Sequence, residues 1–224
     1  FSGIFTHEEL KNAYVLRAEV LESSYLENEG DGKLTLQPLP LHAQFAPICG
    51  IATLDVDSDG NLDIVSVGNS YATEISLGRY DAAYGCVLKG DGNGSFKALH
   101  PKESGLVVKG DTKGLATLSN AEGQTILLIT QNSGPLEAFI LNGDASNDKL
   151  RLQPEEAWAE ISFADGRKRK QELYYGHTYL SHSDRVLTIP ENVVKIDIFS
   201  FSGKRSRTLS AEDPIVGTTH VRAP

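Results

Sequence analysis

An internal repeat constrains the fold more than any other feature of this sequence. Residues 50–54 and 114–118 differ at one position, and the apolar stretch 62–70 is matched by 125–133. Matching positions lie about 61–64 residues apart. Each copy is typical of short strands joined by tight turns. A period above the usual ~40–50 residues, with four strands per unit, predicts enlarged β-propeller blades.

The first copy carries an acidic loop, Asp-Val-Asp-Ser-Asp-Gly-Asn-Leu-Asp, at residues 55–63. Its carboxylates alternate along the loop, a glycine allows the sharp turn, and the following asparagine can offer its backbone carbonyl. Calcium takes about six to eight oxygen ligands, which one loop supplies from alternate positions. The strand-like flanks differ from the two helices of an EF-hand. The alternative is a solvated acidic turn. The predicted calcium ligands are Asp55, Asp57, Asp59, Asn61 and Asp63.

The second copy replaces this loop with Ser-Asn-Ala-Glu-Gly-Gln at residues 119–124. One acid and one glycine cannot satisfy a calcium ion. We therefore expect one metal site in the chain and a second hairpin that forms without metal. On this interpretation the ion stabilises one turn and is not the reason that the fold exists.

Composition limits the possible partners. The net charge of −9 and the pI near 5.1 argue against nucleic acid or an anionic membrane as a partner. No apolar run approaches the ~20 residues that a membrane span needs.

The sequence begins at Phe1 and contains no methionine, so we expect a piece of a longer protein. Cys49 and Cys86 are predicted to be buried free thiols, with a disulfide between them as the alternative.

A long connection distinguishes the first copy from the second. Residues 70–85 of the first copy correspond to only residues 133–137 of the second. Tyrosine and arginine together are typical of recognition surfaces, because they bury large areas and keep polar groups available. The alternative is that these rings pack internally. The candidate ligand-binding residues are Tyr71, Arg79, Tyr80 and Tyr84.

The sequence pattern changes after the polar stretch 142–148. Alternating strands are predicted at 158–163, 173–175, 185–189, 194–199 and 204–209, with a hairpin turn at Asp165 and Gly166. We expect a small antiparallel β domain, a sandwich or a barrel, at residues 150–224, after propeller blades at residues 1–145. The basic run 167–170 is interpreted as a solvated hairpin face, with a ligand site as the alternative.

The acidic loop resembles the Asp-x-Asp-x-Asp-Gly-x-x-Asp hairpin of FG-GAP or VCBS repeats in integrin-α-type propellers. Residues 166–172 and 175–181 are similar to the ASPIC/UnbV domain that often follows such repeats in bacterial extracytoplasmic proteins. Residues 78–81 and Gly85 also match this combined family. The resemblance implies an all-β chain containing the C-terminal blades of a calcium-binding propeller, with further blades upstream.

No catalytic constellation stands out, so we predict no catalytic residues and no enzyme activity. Ser70 lacks the second glycine of a nucleophile elbow. Adjacent residues of the predicted strand 181–184 point to alternate faces, whereas a catalytic triad is assembled in space. We predict a non-catalytic recognition or adhesion module in the periplasm, at the outer membrane or at the cell surface. Its partner would be a protein or a glycan. The alternative is an accessory domain of a surface polysaccharide-degrading enzyme or its assembly.

Overall fold

The computed structural model describes residues 3–142, 148–176, 179–190 and 192–210. It is 46% strand and 6% helix, which confirms the all-β class. Its sheets are antiparallel, and within the described ranges none of them closes into a barrel. No helix in the described part of the chain is long and apolar enough to cross a membrane.

The elements of the N-terminal part are α1 (His7–Leu10), β1 (Ser24–Gly30), β2 (Lys33–Pro38), a 3₁₀ turn (Leu41–Gln44), β3 (Ile48–Leu54), β4 (Asp63–Gly68), β5 (Cys86–Gly90), β6 (Phe96–Ala98), α2 (Pro101–Ser104), β7 (Thr112–Ser119), β8 (Thr125–Gln131) and β9 (Glu137–Ile140). The elements that follow are β10 (Asp148–Arg151), β11 (Glu156–Phe163), β12 (Lys168–Glu172), β13 (Val186–Ile189), β14 (Val193–Ser200) and β15 (Arg205–Ser210).

The repeat is visible in the strands. β3-β4-β5-β6 form one four-stranded sheet, and β7-β8-β9 form a three-stranded sheet. The register shifts between Ile48 and Gly50 in β3, and it shifts between Thr112 and Gly114 in β7. The same irregularity at equivalent positions confirms that the two copies build the same hairpin.

The second hairpin closes its turn through two amide side chains. The Asn120 N–H donates to the Gln124 carbonyl at 3.0 Å, and the Gln124 N–H donates to Asn120 Oδ1 at 2.8 Å. The two side-chain amides also bond to each other at 3.0 Å. These contacts close the second turn through amide groups, and the expectation that this copy needs no metal stays a prediction.

The two sheets pack on one core. Val65 and Val67 from β4 meet Leu115 from β7 and Ile129 from β8, all buried. Strand β3 comes close to β7 at Gly50, where a Cβ atom would lie 2.8 Å from both the Cβ and the backbone nitrogen of Leu115. A glycine at this position therefore permits the close approach of the two strands.

The C-terminal part has a core of its own. A four-stranded sheet in the order β12-β11-β14-β15 and the pair β10-β13 contribute the buried side chains. The core residues are Leu150, Leu152, Ala159, Ile161, Phe163, Leu187, Ile189, Ile196 and Ile198. The separate core agrees with a distinct C-terminal unit. The predicted division of domains stays a prediction, since residues 143–147 and 211–224 lie outside the described residues.

The predicted hairpin around Asp165 and Gly166 is confirmed as the pair β11-β12. The predicted strand at residues 173–175 is wrong, because β12 ends at Glu172. The Leu173 N–H still donates to the Ala157 carbonyl at 2.8 Å, but the chain then leaves the sheet.

Residues 181–184 connect the C-terminal part to β7. The Thr117 N–H donates to Ser183 Oγ at 2.9 Å, and the Ser119 N–H donates to Asp184 Oδ2 at 2.8 Å. The Asp184 N–H donates to the Thr117 carbonyl at 2.9 Å. The polar groups of this segment thus form hydrogen bonds with the edge strand β7, so they hold the C-terminal part against the second sheet.

Both cysteines are free thiols, and both are only partly buried. They lie on β3 and β5, with β4 between them, so the disulfide alternative is not formed. Burial raises the pKa of Cys86 to about 11, which keeps this thiol protonated at neutral pH.

Candidate metal centre and recognition surface

The acidic loop joins β3 to β4 and gathers three of its carboxylates. Asp55, Asp57 and Asp63 each offer an oxygen atom, and these atoms all lie within 4.8 Å of one another. Asp55 is half-buried, Asp57 is exposed and Asp63 is buried. The loop thus forms a concave group of oxygens that could hold a metal ion.

Asp63 lies at the base of this group, where the loop enters β4. It is fully buried, and its carboxylate accepts hydrogen bonds from the Val56 and Gly90 N–H groups, each at 2.8 Å. Burial raises the pKa of Asp63 to about 6, and the Asp57 and Asp55 charges add to this effect. A bound cation would favour the ionised form of this carboxyl.

Asp55 closes the turn from the other side. Its carboxylate accepts from the Asp59 N–H at 3.1 Å and the Gly60 N–H at 2.9 Å. Burial raises the pKa of Asp55 despite these hydrogen bonds. Gly60 has φ of +88°, and a Cβ atom there would lie 3.3 Å from the Phe163 ring. The turn therefore needs glycine for its backbone conformation and for its contact with the C-terminal part.

Asp59 lies outside the three-carboxylate group, and the Asn61 side chain is bonded elsewhere. Asp59 Oδ1 accepts from the Asn61 N–H at 2.8 Å, and Asp59 Oδ2 lies 3.2 Å from Lys89 Nζ. Burial acts to raise the pKa of Asp59, but hydrogen bonds from the Asn61 N–H and Lys89 outweigh it and lower the pKa. The Asn61 side-chain oxygen accepts from Arg167 at 2.8 Å. The structure thus brings together three of the four predicted carboxylate ligands, and the Asn61 backbone carbonyl stays a prediction.

Two cationic residues that the sequence pattern did not indicate neutralise part of the negative charge of the loop. Lys89 pairs with Asp57 and Asp59, and these hydrogen bonds raise the pKa of Lys89. Arg169 Nη1 donates to the Gly60 carbonyl at 2.8 Å and lies 3.7 Å from Asp55 Oδ2. The interpretation of residues 167–170 as a solvated face is wrong for Arg169, whose side chain is only 9% exposed.

The donor set fits a hard divalent cation. All the side-chain donors that converge here are carboxylate oxygens, which Ca²⁺ and Mg²⁺ prefer to nitrogen or sulfur. The Asp55, Asp57 and Asp63 side chains would hold the ion. Carboxylate oxygens alone do not distinguish calcium from other hard cations, so the identity of the metal is part of the proposal below.

The Lys89→Gln variant is expected to bind a hard divalent cation, tested as calcium, up to about fivefold more tightly than the wild type. An incoming cation must compete with the Lys89 ammonium for Asp57. Because an exposed ion pair is worth little free energy, removing it is expected to change the affinity for the cation only modestly. Calorimetric titration of both proteins measures the change. The exposed Lys102→Gln variant, with the same change of charge on α2, is the control. Weaker binding by Lys89→Gln would contradict the assigned competition.

The long connection in the first copy extends from a buried base. Asn69 Nδ2 donates to the Ala83 and Gly110 carbonyls at 3.0 and 2.8 Å, and the Tyr71 N–H donates to Asp111 Oδ1 at 3.3 Å. Ser70 and Tyr80 pair as an isolated antiparallel bridge. The two ends of the connection are therefore held by defined hydrogen bonds.

Two of the three tyrosines in this connection face solvent. Tyr80 and Tyr84 are 47% and 48% exposed, while Tyr71 is half-buried. The Arg79 guanidinium lies over the Tyr71 ring, 4.7 Å from its centroid. Ile75 is fully exposed as well. The connection therefore presents aromatic and apolar side chains to solvent, a composition typical of contact surfaces.

A comparison with protein-family models finds no match, and a search of curated proteins likewise finds no similar protein. The resemblance to FG-GAP or VCBS repeats and to the ASPIC/UnbV domain therefore stays a prediction, as does the absence of enzyme activity.

Proposed function

We propose that this chain is a calcium-stabilised, non-catalytic recognition module of an extracytoplasmic protein. It would comprise C-terminal blades of an FG-GAP or VCBS propeller followed by an ASPIC/UnbV-like sandwich or barrel domain. The observation that carries the proposal is the convergence of Asp55, Asp57 and Asp63 in one hairpin loop. The connection that bears Tyr80 supplies the candidate surface for a protein or glycan.

A modest calcium affinity is expected, because the site is open and contains a competing lysine. Asp57 is exposed and pairs with Lys89, so binding must displace an existing ion pair. Such a site suits modest affinity, in the range of about 10⁻⁴–10⁻³ M that extracellular calcium modules show. Calcium at these concentrations occurs outside the cytoplasm, which supports the proposed location.

Calcium is expected to raise the melting temperature of the wild type. At free calcium ten times the Kd, binding only to the folded state adds about 1.4 kcal/mol. For a chain of this size that corresponds to about 3–6 °C. Thermal unfolding in calcium, in magnesium and in chelator measures the shift.

Asp57→Ala is expected to remove most of the calcium shift and leave the melting temperature in chelator almost unchanged, because Asp57 is exposed. Asp81→Ala, an exposed acid in the long connection, is the control and is expected to retain the shift. A wild-type melting curve that is the same with calcium and with chelator would refute the calcium proposal.

Tyr80→Ala is expected to weaken ligand binding about tenfold or more without unfolding the protein. Exposed aromatic anchors contribute much of the free energy at recognition surfaces, and Tyr80 holds its place in the bridge to Ser70 through backbone atoms. A glycan array read in calcium, followed by calorimetry with the selected glycan, measures the change. Tyr14→Ala, which removes an exposed ring elsewhere, is the control. Equal binding by Tyr80→Ala and Tyr14→Ala would exclude this surface.

A further inference from the structure

We propose a second binding site, for an acidic sugar, in a cationic cavity of the C-terminal part. The cavity has a volume of about 550 Å³ and lies beside β10, against the chain that leads into β13. Its lining includes four cationic side chains and one carboxylate, although the whole chain carries a net charge of −9. These charged residues are Lys149, Arg151, Asp184, Arg185 and Arg207.

Arg185 is the residue that points to a ligand. It is only 6% exposed, and no carboxylate of the described residues lies within 4.0 Å of it. A buried cation without a counter-ion is unfavourable unless other groups compensate its charge. The Tyr175 and Phe201 rings lie over the guanidinium, with their centroids 4.2 and 5.7 Å from its carbon, and compensate part of the charge. An anion in the cavity would supply the full counter-charge that these rings do not.

The neighbours of Arg185 satisfy only part of its guanidinium group. Nε donates to the Leu173 carbonyl at 2.8 Å, and Nη1 donates to the Gln153 carbonyl at 3.0 Å and the Tyr175 hydroxyl at 2.7 Å. Nη2 is buried and has no hydrogen-bond partner in the described structure. These contacts fix the guanidinium rigidly, which is the preorganisation that a binding site needs.

The other arginines that line the cavity differ in how far carboxylates of the protein neutralise their charge. Arg207 is paired with buried Glu156 through Nε at 2.8 Å, so its charge is largely neutralised. Arg151 is 67% exposed, and its guanidinium lies 4.0 Å from Asp184. Arg151 is therefore the flexible cation at the rim, and Arg185 is the fixed cation in the wall.

The shape and the walls favour a sugar over a simple ion. A volume of about 550 Å³ falls within the usual range of small-molecule pockets of about 300–1,000 Å³ and exceeds the needs of a phosphate or sulfate. Tyr175 and His182 stack at 5.5 Å between ring centroids and give the cavity an aromatic wall. A fitting ligand carries a carboxylate that pairs with the arginines and a carbon ring that packs on the aromatic wall. A uronic acid unit has both features.

Trigalacturonate is the probe for this site, with neutral galactotriose as the matched control sugar. Calorimetric titration of the full chain in chelator keeps the measurement independent of the metal loop. Trigalacturonate is expected to bind, with affinity that falls as salt is added, and galactotriose is expected not to bind. No binding of trigalacturonate would overturn the proposal, whatever the calcium experiments show.

Two variants locate the binding. Arg185→Gln is expected to weaken trigalacturonate binding about tenfold or more, the loss expected for a charge-assisted contact. Arg151→Gln, at the exposed rim, is expected to weaken it about threefold to tenfold and to keep the fold even if Arg185→Gln does not. Lys102→Gln on α2 is the charge-matched control and is expected to bind as the wild type does.

Three other outcomes would overturn the assignment. Equal affinities of Arg151→Gln and Lys102→Gln would show that the sugar binds elsewhere. If inorganic sulfate or phosphate displaces trigalacturonate at the same concentration, the cavity is a general anion site and not a sugar site. A glutamate-rich peptide that binds as tightly as trigalacturonate would replace the sugar with an acidic protein segment.

Discussion

Gly50→Ala is expected to destabilise the protein by about 3 kcal/mol or more. The added Cβ would lie 2.8 Å from the backbone nitrogen of Leu115, which belongs to a fixed strand of the neighbouring sheet. Neither β3 nor β7 can move away without opening the shared core, and overpacking of such a site costs about 1–3 kcal/mol even where the neighbours relax. Chemical denaturation of both proteins measures the loss.

The repeat supplies a matched control at the equivalent position. A Cβ at Gly114 would lie 2.7 Å from Thr130 Oγ1, a side-chain atom that can move by rotation about χ1, whereas the Leu115 backbone nitrogen cannot move by itself. Gly114→Ala is therefore expected to cost only about 1–1.5 kcal/mol, mainly the hydrogen bond from the Gly114 N–H to that hydroxyl. If both variants lose the same stability, the close approach of β3 to β7 is not the reason for glycine at position 50.

The repeat was predictable because its signals are local. Strand alternation and turn residues recur within a few positions of each other, and the two hairpins follow from them. The equivalent shifts of register at Gly50 and Gly114 also coincide with the repeated glycines. The sequence pattern therefore indicated the elements, while the packing of one sheet on the other had no local signal.

The metal site shows where this kind of prediction ends. The alternating acids indicated the loop. However, Asp57 and Asp59 both pair with Lys89, which is 32 residues from Asp57 in sequence. Arg169 reaches the Gly60 carbonyl across 109 residues. No local pattern indicates such partners, because they depend on how the C-terminal hairpin packs against the loop. The same packing explains why one arginine of a basic run is buried.

The loop and the C-terminal hairpin form one contact. Arg167 binds Asn61, Arg169 binds Gly60, and Phe163 packs against the turn at Gly60. An ion at Asp55 would therefore lie beside the junction of the two parts. This arrangement connects metal binding to the junction, so calcium is expected to stabilise the contact between the parts as well as the turn itself.

Glu156→Ala is expected to destabilise the protein by about 3 kcal/mol. Glu156 is 1% exposed, and its carboxylate accepts from the Gln153 N–H at 2.8 Å, from Ser206 Oγ at 3.0 Å and from Arg207 Nε at 2.8 Å. Removal of one partner of a buried ion pair costs about 3–5 kcal/mol, and the lower end applies because Arg207 is one-third exposed. Glu155→Ala, the exposed neighbour, is the control.

The stability that Glu156 supplies is expected to depend on pH. Burial acts to raise its pKa, but the hydrogen bonds from Arg207 and Gln153 outweigh burial and hold the pKa below the usual value of 4.5. A carboxyl with a lowered folded-state pKa stabilises the protein above its unfolded-state pKa and loses this effect as pH falls through the folded-state value. The wild type and Glu156→Ala should therefore differ fully at pH 7, and the difference should shrink as pH falls below the usual carboxyl value of 4.5. Denaturation curves across this range measure the difference, and a gap that is constant from pH 7 to pH 3 would contradict the role assigned to the ionised carboxylate.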